Sequence, residues 1–148
     1  MIEFKSGNIF ESEAEALVNP VNTRGISGAG LALQFKKRYP ENFKAYQQAC
    51  ERGALKLGQM FLYWVSDTGQ PKYIINFPTK KDWRDLSGLK DIEEGLVDLV
   101  VLADILKLRS VAVPLLGCGL GRLDKETVLP LMQEQFARED GIHWIIYG

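Results

Sequence analysis

Twice along this 148-residue chain an apolar, strand-like run breaks directly into a glycine-rich turn and then into a helical pattern. The first run, Ala14 to Val18, is closed by Asn19-Pro20 and leads to Gly25-Ile-Ser-Gly28-Ala-Gly30-Leu31-Ala32. The second, Ser110 to Leu115, leads to Gly117-Cys-Gly119-Leu-Gly121. A strand that feeds a helix through glycines aims backbone N–H groups and a helix N-terminus at whatever lies beyond the strand end, which suits an anion. Glycine there admits positive φ and lets a ligand approach the main chain. Two such turns imply strand ends that share a crevice, with one ligand gripped by both, as a diphosphate would be. Neither turn is a Walker A or a strict GxGxxG, and no Lys-Ser/Thr pair follows, which argues against an NTPase.

The rest of the chain alternates in the same way. Ile2 to Phe4 reads as a strand, Gly28 to Arg38 and Asn42 to Arg52 as helices, and Gln59 to Val65 with Tyr73 to Phe77 as a hairpin pair around Asp67-Thr68-Gly69. Ile92 through Leu106 carries one apolar stripe at helical spacing. Asp124 is placed to cap a further helix, and Ile142 to Tyr147 reads as the last strand. The expected architecture is one α/β domain over residues 1–148, with helices on both faces of a mixed sheet.

Composition removes several function classes. Net charge is −1, so no overall basic field recruits nucleic acid, and contact with it has to come from a local patch such as Lys36-Lys37-Arg38 or Lys80-Lys81 with Arg84. The first cluster reads as a solvated helix face. His143 is the sole histidine, and Cys50 and Cys118 are the only cysteines, so a zinc site or a Ser-His-Asp triad is not expected. No cofactor is called for. The start of the chain lacks a signal-peptide apolar core, and no run approaches the ~20 apolar residues needed to cross a bilayer. A reduced, cytosolic protein without a membrane partner is the expectation.

Chemistry concentrates on Lys80. It follows the apolar run Tyr73-Ile-Ile-Asn-Phe77 in what reads as a loop, Pro78-Thr79-Lys80-Lys81. A lysine delivered beside a sugar-phosphate ligand can attack a sugar carbon as a neutral amine, or stabilise departing charge as an ammonium. Asn22, leaving a strand end, can donate to and accept from sugar hydroxyls. Cys118 lies between glycines with no histidine partner in sight, and reads as a small loop residue rather than a nucleophile. Trp83, close to Lys80, can stack on a splayed base or pack on the sheet.

The ordered set Gly7-Asn8-Ile9, Asn19-Pro-Val-Asn22, Gly25-x-x-Gly28-Ala-Gly30-Leu31-Ala32 and Gly117-Cys-Gly119-Leu resembles the macrodomain family of ADP-ribose binders over essentially the whole chain. Thr79-Lys80-Lys81 with Arg122-Leu123 is similar to one branch of it. That branch holds the terminal ADP-ribose protein glycohydrolase and the antitoxin macrodomains that remove ADP-ribose from thymidine in DNA. The resemblance implies a three-layer α/β/α macrodomain with a mixed central sheet. It implies ADP-ribose as ligand, ADP-ribosylated single-stranded DNA as substrate, a cognate DNA ADP-ribosyltransferase toxin as partner, and Lys80 as the catalytic residue. It places Asn8 and Ile9 at the adenine and Asn22 at the distal ribose. Gly28, Ala29, Gly30 and Leu31 would hold the diphosphate together with Gly117, Cys118, Gly119, Leu120 and Gly121, with Thr79 beside Lys80. Three family acids are missing: Asn8 replaces the aspartate that contacts adenine in many relatives, though its amide oxygen can still accept from the adenine amino group, Ala32 follows the first glycine run, and Gly121 stands where the protein-directed enzyme has an aspartate. A non-enzymatic reader of ADP-ribose, or a hydrolase of ADP-ribosyl esters on protein carboxylates, therefore stays open.

Overall fold

Runs such as Val111-Ala112-Val113 can bury both of their faces only in a sheet covered on both sides. The computed structural model, which describes Met1–Gly148, has that arrangement. Six strands, β1 (Ile2–Lys5), β2 (Ala16–Asn22), β3 (Phe61–Trp64), β4 (Tyr73–Lys80), β5 (Ser110–Pro114) and β6 (His143–Tyr147), form one sheet in the order β1-β6-β5-β2-β4-β3. All neighbours are parallel except the β3–β4 hairpin, so the sheet is mixed as expected.

Side chains alternate along each strand, and the two faces therefore build two cores. Ala16, Val18, Ile75, Phe77, Val111, Val113, Trp144 and Ile146 pack with Leu96, Leu99 and Ala103 of α3 (Leu89–Ile105) and Val128, Met132 and Phe136 of α4 (Lys125–Phe136). Leu17, Ile74, Ala112 and Ile145 face the other way, against Ile9 and against Phe35 of α1 (Gly30–Arg38). Beside them α2 (Pro40–Glu51) seats Tyr46 against Val21 and Leu55. Asp124 caps α4 as expected, accepting from the Glu126 N–H at 3.1 Å. No helix is long and apolar enough to cross a membrane.

The structure corrects the sequence reading at strand ends. The second strand begins at Ala16 and runs through Pro20 to Asn22, instead of stopping at Val18, and β4 runs through Pro78 and Thr79 to Lys80, instead of stopping at Phe77. Both were cut short because proline reads as a strand terminator. Here the two extensions pair with each other, Pro20 opposite Phe77 and Val21 opposite Pro78, with a register shift before Asn22. On its other side β2 pairs with β5 only at Ala16 and Leu17, so the two strands part toward their C-terminal ends. Pro20 and Pro114, which lack an N–H, lie in the parted halves, where no ladder bond is lost. That gap is the crevice the glycine turns surround.

Candidate active site

A cavity of about 650 Å3 opens where β2 and β5 separate, within the size range of small-molecule sites. Eleven of the residues expected from the sequence line it: Asn22, Gly28, Ala29, Gly30, Leu31, Thr79, Lys80, Gly117, Gly119, Leu120 and Gly121. Lys80 is the only ionisable side chain on its wall, among 19 lining residues without an aspartate, glutamate or histidine.

The glycine turns form two rows of open donors. The amides of Gly28, Ala29, Gly30 and Leu31 on one side, and of Gly119, Leu120 and Gly121 on the other, donate to no acceptor within the protein. No side chain caps the N-terminus of α1, so the positive end of that helix faces the cavity with its first-turn N–H groups free. The rows come together at the mouth, where Leu120 Cδ1 sits 3.3 Å from the position a Gly30 Cβ would take. The second turn is tightly built. Leu123 N–H donates to Gly117 O at 2.8 Å, Ser87 N–H donates to Gly121 O at 3.1 Å, and Gly117 turns with φ 74°. A Cβ at Gly121 would fall on Ser87 Oγ and lie 2.6 Å from Gly117 O, so no side chain fits there, acidic or otherwise. At Gly119, by contrast, nothing lies within 4 Å of such a Cβ.

Asn22 organises the first turn. Its Oδ1 accepts from the amides of Arg24 at 3.0 Å, Gly25 at 3.1 Å and Ile26 at 3.4 Å, and its Nδ2 donates to Ile26 O at 2.7 Å. Tyr46 Oη lies 2.7 Å from Asn22 O and 2.9 Å from Oδ1, and burial pushes that phenol well above its ordinary pKa, so it stays a donor. One Nδ2 hydrogen remains for a ligand. Asn22 can donate to a sugar but has no oxygen left to accept, which narrows the two-way contact expected from the sequence.

Lys80 ends β4 rather than lying in a loop, and its Nζ donates to Trp83 O at 3.2 Å. The backbone around it is fastened to the first glycine turn: Thr23 N–H donates to Lys80 O at 3.1 Å, Thr23 Oγ1 to Lys81 O at 3.2 Å, and Thr79 Oγ1 to Val21 O at 3.3 Å. Arg24 reaches across to Asp82 at 2.6 Å, while Arg84 grips the same carboxylate at 3.0 and 3.2 Å. Hydrogen bonds from Arg84, then Arg24, hold the Asp82 carboxyl far below the usual carboxylate range.

Asn8, Ile9 and Cys118 are not on the cavity wall. Asn8 caps the turn Ile9–Glu11, its Oδ1 accepting from Phe10 N–H at 2.9 Å, and Ile9 is buried in the core on the α1 side. Cys118 turns its Sγ to Leu116 O at 3.6 Å, and burial, with Asp124 nearby, raises its pKa, so it remains a thiol. That agrees with its reading as a loop residue. The lining residues that the sequence did not mark include Pro20 and Val21, hidden by the early end given to β2, Pro114 and Leu115, read only as the end of a buried strand, and Ile26 and Ser27, which sit inside the glycine segment.

The family model described as Macro domain matches residues 18–132. A Mycobacterium tuberculosis protein named "DNA ADP-ribosyl glycohydrolase" is 49% identical over 99% of this chain and 42% of its own length. A Thermosipho africanus protein named "DNA ADP-ribosyl transferase-DNA ADP-ribosyl glycohydrolase fusion protein" is 36% identical over 85% of this chain and 36% of its own length. Among solved structures, the "Macrodomain of Mycobacterium tuberculosis DarG" superposes with a TM-score of 0.97 at 47% identity, covering 99% of this chain and 97% of that one. The structure titled "Thermosipho africanus DarTG in complex with ADP-ribose" gives a TM-score of 0.91 at 32% identity, covering 99% of this chain and 41% of that one. The chain thus spans about two fifths of the length of the curated relatives it matches.

Proposed function

The chain belongs to the Macro domain family, and on that premise we propose that the cavity binds ADP-ribose and that Lys80 makes it a glycohydrolase. The substrate is ADP-ribose linked to a base, thymidine, in single-stranded DNA. The activity counters a DNA ADP-ribosyltransferase toxin of the DarT kind. The names carried by relatives at 49% and 36% identity, and the ADP-ribose complex of the T. africanus protein, support this reading. The observation that carries it is the solitary Lys80 on a wall otherwise free of ionisable groups.

The diphosphate lies between the two rows of open amides, where N–H dipoles and the α1 N-terminus offset its charge without a metal ligand set. Asn22 donates its remaining hydrogen to the distal ribose. In hydrolysis the bond between the anomeric carbon and the base nitrogen breaks. The hydroxyl of water ends on the carbon and its proton on the base, releasing free ADP-ribose and intact DNA. Lys80 acts at the anomeric carbon, as a transient amine adduct or as a cation that stabilises the departing charge, and borohydride trapping of a covalent species distinguishes the two. The aspartate route of the protein-directed relative has no place here, because Gly121 leaves no room for a side chain.

The test is mass spectrometry of a defined oligonucleotide carrying ADP-ribosylated thymidine. The expected products are free ADP-ribose and the unmodified oligonucleotide, with none formed by Lys80→Ala. Absence of release by the intact chain overturns the enzyme assignment. One observation favours a second reading: a cavity without carboxylate or histidine is also what a non-enzymatic reader needs. That reading predicts tight ADP-ribose binding with every linkage left uncut.

A further inference from the structure

At the mouth of the cavity an aromatic side chain projects, apart from the two rows of open amides. Trp83 lines the cavity yet is 54% exposed. The Arg84 guanidinium lies 5.5 Å from the ring centroid, and Asp82 fixes that guanidinium through both Nε and Nη2. Asp82 is in turn held by Arg24, and the turn is closed by Asp85 N–H to Asp82 O at 3.0 Å and Asp82 N–H to Asp85 Oδ2 at 3.2 Å. The turn that carries the indole is thus built before any ligand arrives, with a cation beside the ring and the ring open to solvent. Ile26 and Leu120, at 41% and 62% exposure, are the other exposed large apolar residues of the same lining.

Position gives the indole its chemistry. Lys80 Nζ donates to Trp83 O at 3.2 Å and both residues line the cavity, so Trp83 stands beside the group that Lys80 acts on. A nucleobase presents a flat π-face to the indole and apolar edges to Ile26 and Leu120. An ester-linked protein side chain offers no aromatic face to stack on the indole.

We propose that Trp83 is the stacking floor of a leaving-group subsite, which takes an unpaired nucleobase bearing ADP-ribose. This rests on the glycohydrolase reading above and names the part of the site that selects its substrate. A base inside a duplex is already stacked and must be turned out before it can reach the indole, so the subsite favours single strands.

The experiment titrates two ligands, free ADP-ribose and a single-stranded oligonucleotide with one ADP-ribosylated thymidine, against Lys80→Ala and against the same variant carrying Trp83→Ala, Trp83→Leu or Trp83→Phe. Loss of the ring should weaken the oligonucleotide about 10- to 100-fold, and free ADP-ribose far less, with Phe recovering most of the loss and Leu little. In the active chain Trp83→Ala should raise KM for the oligonucleotide by a similar factor while kcat changes only a few-fold. Equal weakening of both ligands makes Trp83 an ordinary wall of the ADP-ribose site and overturns the subsite. Unchanged oligonucleotide binding, or equal binding of the modified base in a duplex, overturns it too. If the intact chain binds the oligonucleotide in a Trp83-dependent way but cuts nothing, the glycohydrolase reading falls and the subsite stands. If it cuts normally without Trp83, the reverse holds.

Discussion

At the scale of single residues, Lys80 and the two glycines of the second turn carry the sharpest expectations. Lys80 hangs from the Trp83 carbonyl, whereas the groups proposed to hold the diphosphate are main-chain amides of other segments. Lys80→Ala should therefore cut the rate of ADP-ribose release by about 10²- to 10⁴-fold, the usual weight of one positioned catalytic group. Calorimetry should find ADP-ribose affinity within a few-fold of the parent. Normal turnover would return the chain to the reader class. Gly119 and Gly121 stand two apart in the sequence and differ completely in space. Gly121→Ala must displace Ser87 or the Gly117 carbonyl, and should cost about 1–3 kcal/mol in a urea melt. A Cβ at Gly119 meets nothing within 4 Å, so Gly119→Glu should fold normally, yet place an anion beside the proposed diphosphate position and weaken ADP-ribose about 100-fold or more. The folded but non-binding outcome at Gly119 separates site from scaffold; unchanged affinity there would show that the phosphate row lies elsewhere.

At the scale of elements, what positions Lys80 is the junction of two strand ends. The β2–α1 turn and the β4–α3 turn are joined by Thr23 to Lys80 and Lys81, and by Arg24 to Asp82. Asp82→Asn should loosen that junction and lower kcat for release about 10- to 100-fold, the scale of a small misplacement of a catalytic group, with ADP-ribose affinity little changed. The carboxyl of Asp82 is depressed in the folded chain, so its contribution is intact above the ordinary carboxylate range and is lost only as pH falls through the lowered value. A pH profile of the intact chain should therefore show no step from Asp82 between about pH 5 and 9; a fall in kcat near pH 5 that vanishes in Asp82→Asn would contradict this. This junction also marks how far the sequence could be read. Element order, the hairpin, the Asp124 cap and both glycine turns were legible, because periodicity and turn chemistry are local. The true ends of β2 and β4 were not, since Pro20 is tolerated where β5 has parted from β2, and Pro78 where it lies beyond the β3 pairing that ends at Asn76. The saturation of the Asn22 oxygen was equally hidden, because the amides of Arg24, Gly25 and Ile26 converge on it only once the turn is formed, and the Tyr46 hydroxyl arrives from 24 residues along the chain. Asn8 and Ile9 matched a motif yet lie off the cavity wall, since motif matching carries no information on which way a turn faces.

At the scale of the whole molecule, charge decides how strongly a strand of DNA is held. Lys36 lies over the Phe43 ring and Arg38 over the Phe10 ring, so the basic run of α1 is spread along aromatic neighbours. Beside the cavity, Arg24 and Arg84 are both committed to Asp82, a geometry the residue order Lys80-Lys81-Asp82-Trp83-Arg84 does not reveal. Lys81 is left exposed and outside every ion pair. With a net charge of −1 there is no broad field to add to it. Recognition of the substrate should then rest on ADP-ribose and on the base, with one or two phosphate contacts at most. Counterion release from single strands contributes a slope of about −0.7 per neutralised phosphate, so a log–log plot of kcat/KM against salt for the modified oligonucleotide should fall with a slope near −1. Lys81→Glu should flatten that line while leaving free ADP-ribose binding unaltered, and Arg84→Glu should act mainly through the Trp83 turn instead. In the same assays, base-linked ADP-ribose should be released far faster than ADP-ribose esterified to protein carboxylates, because only the base has a face to stack. A slope steeper than about −3 would reveal a phosphate track that the rim charges do not account for, and equal rates on the two linkages would make a general ADP-ribosyl hydrolase the better description.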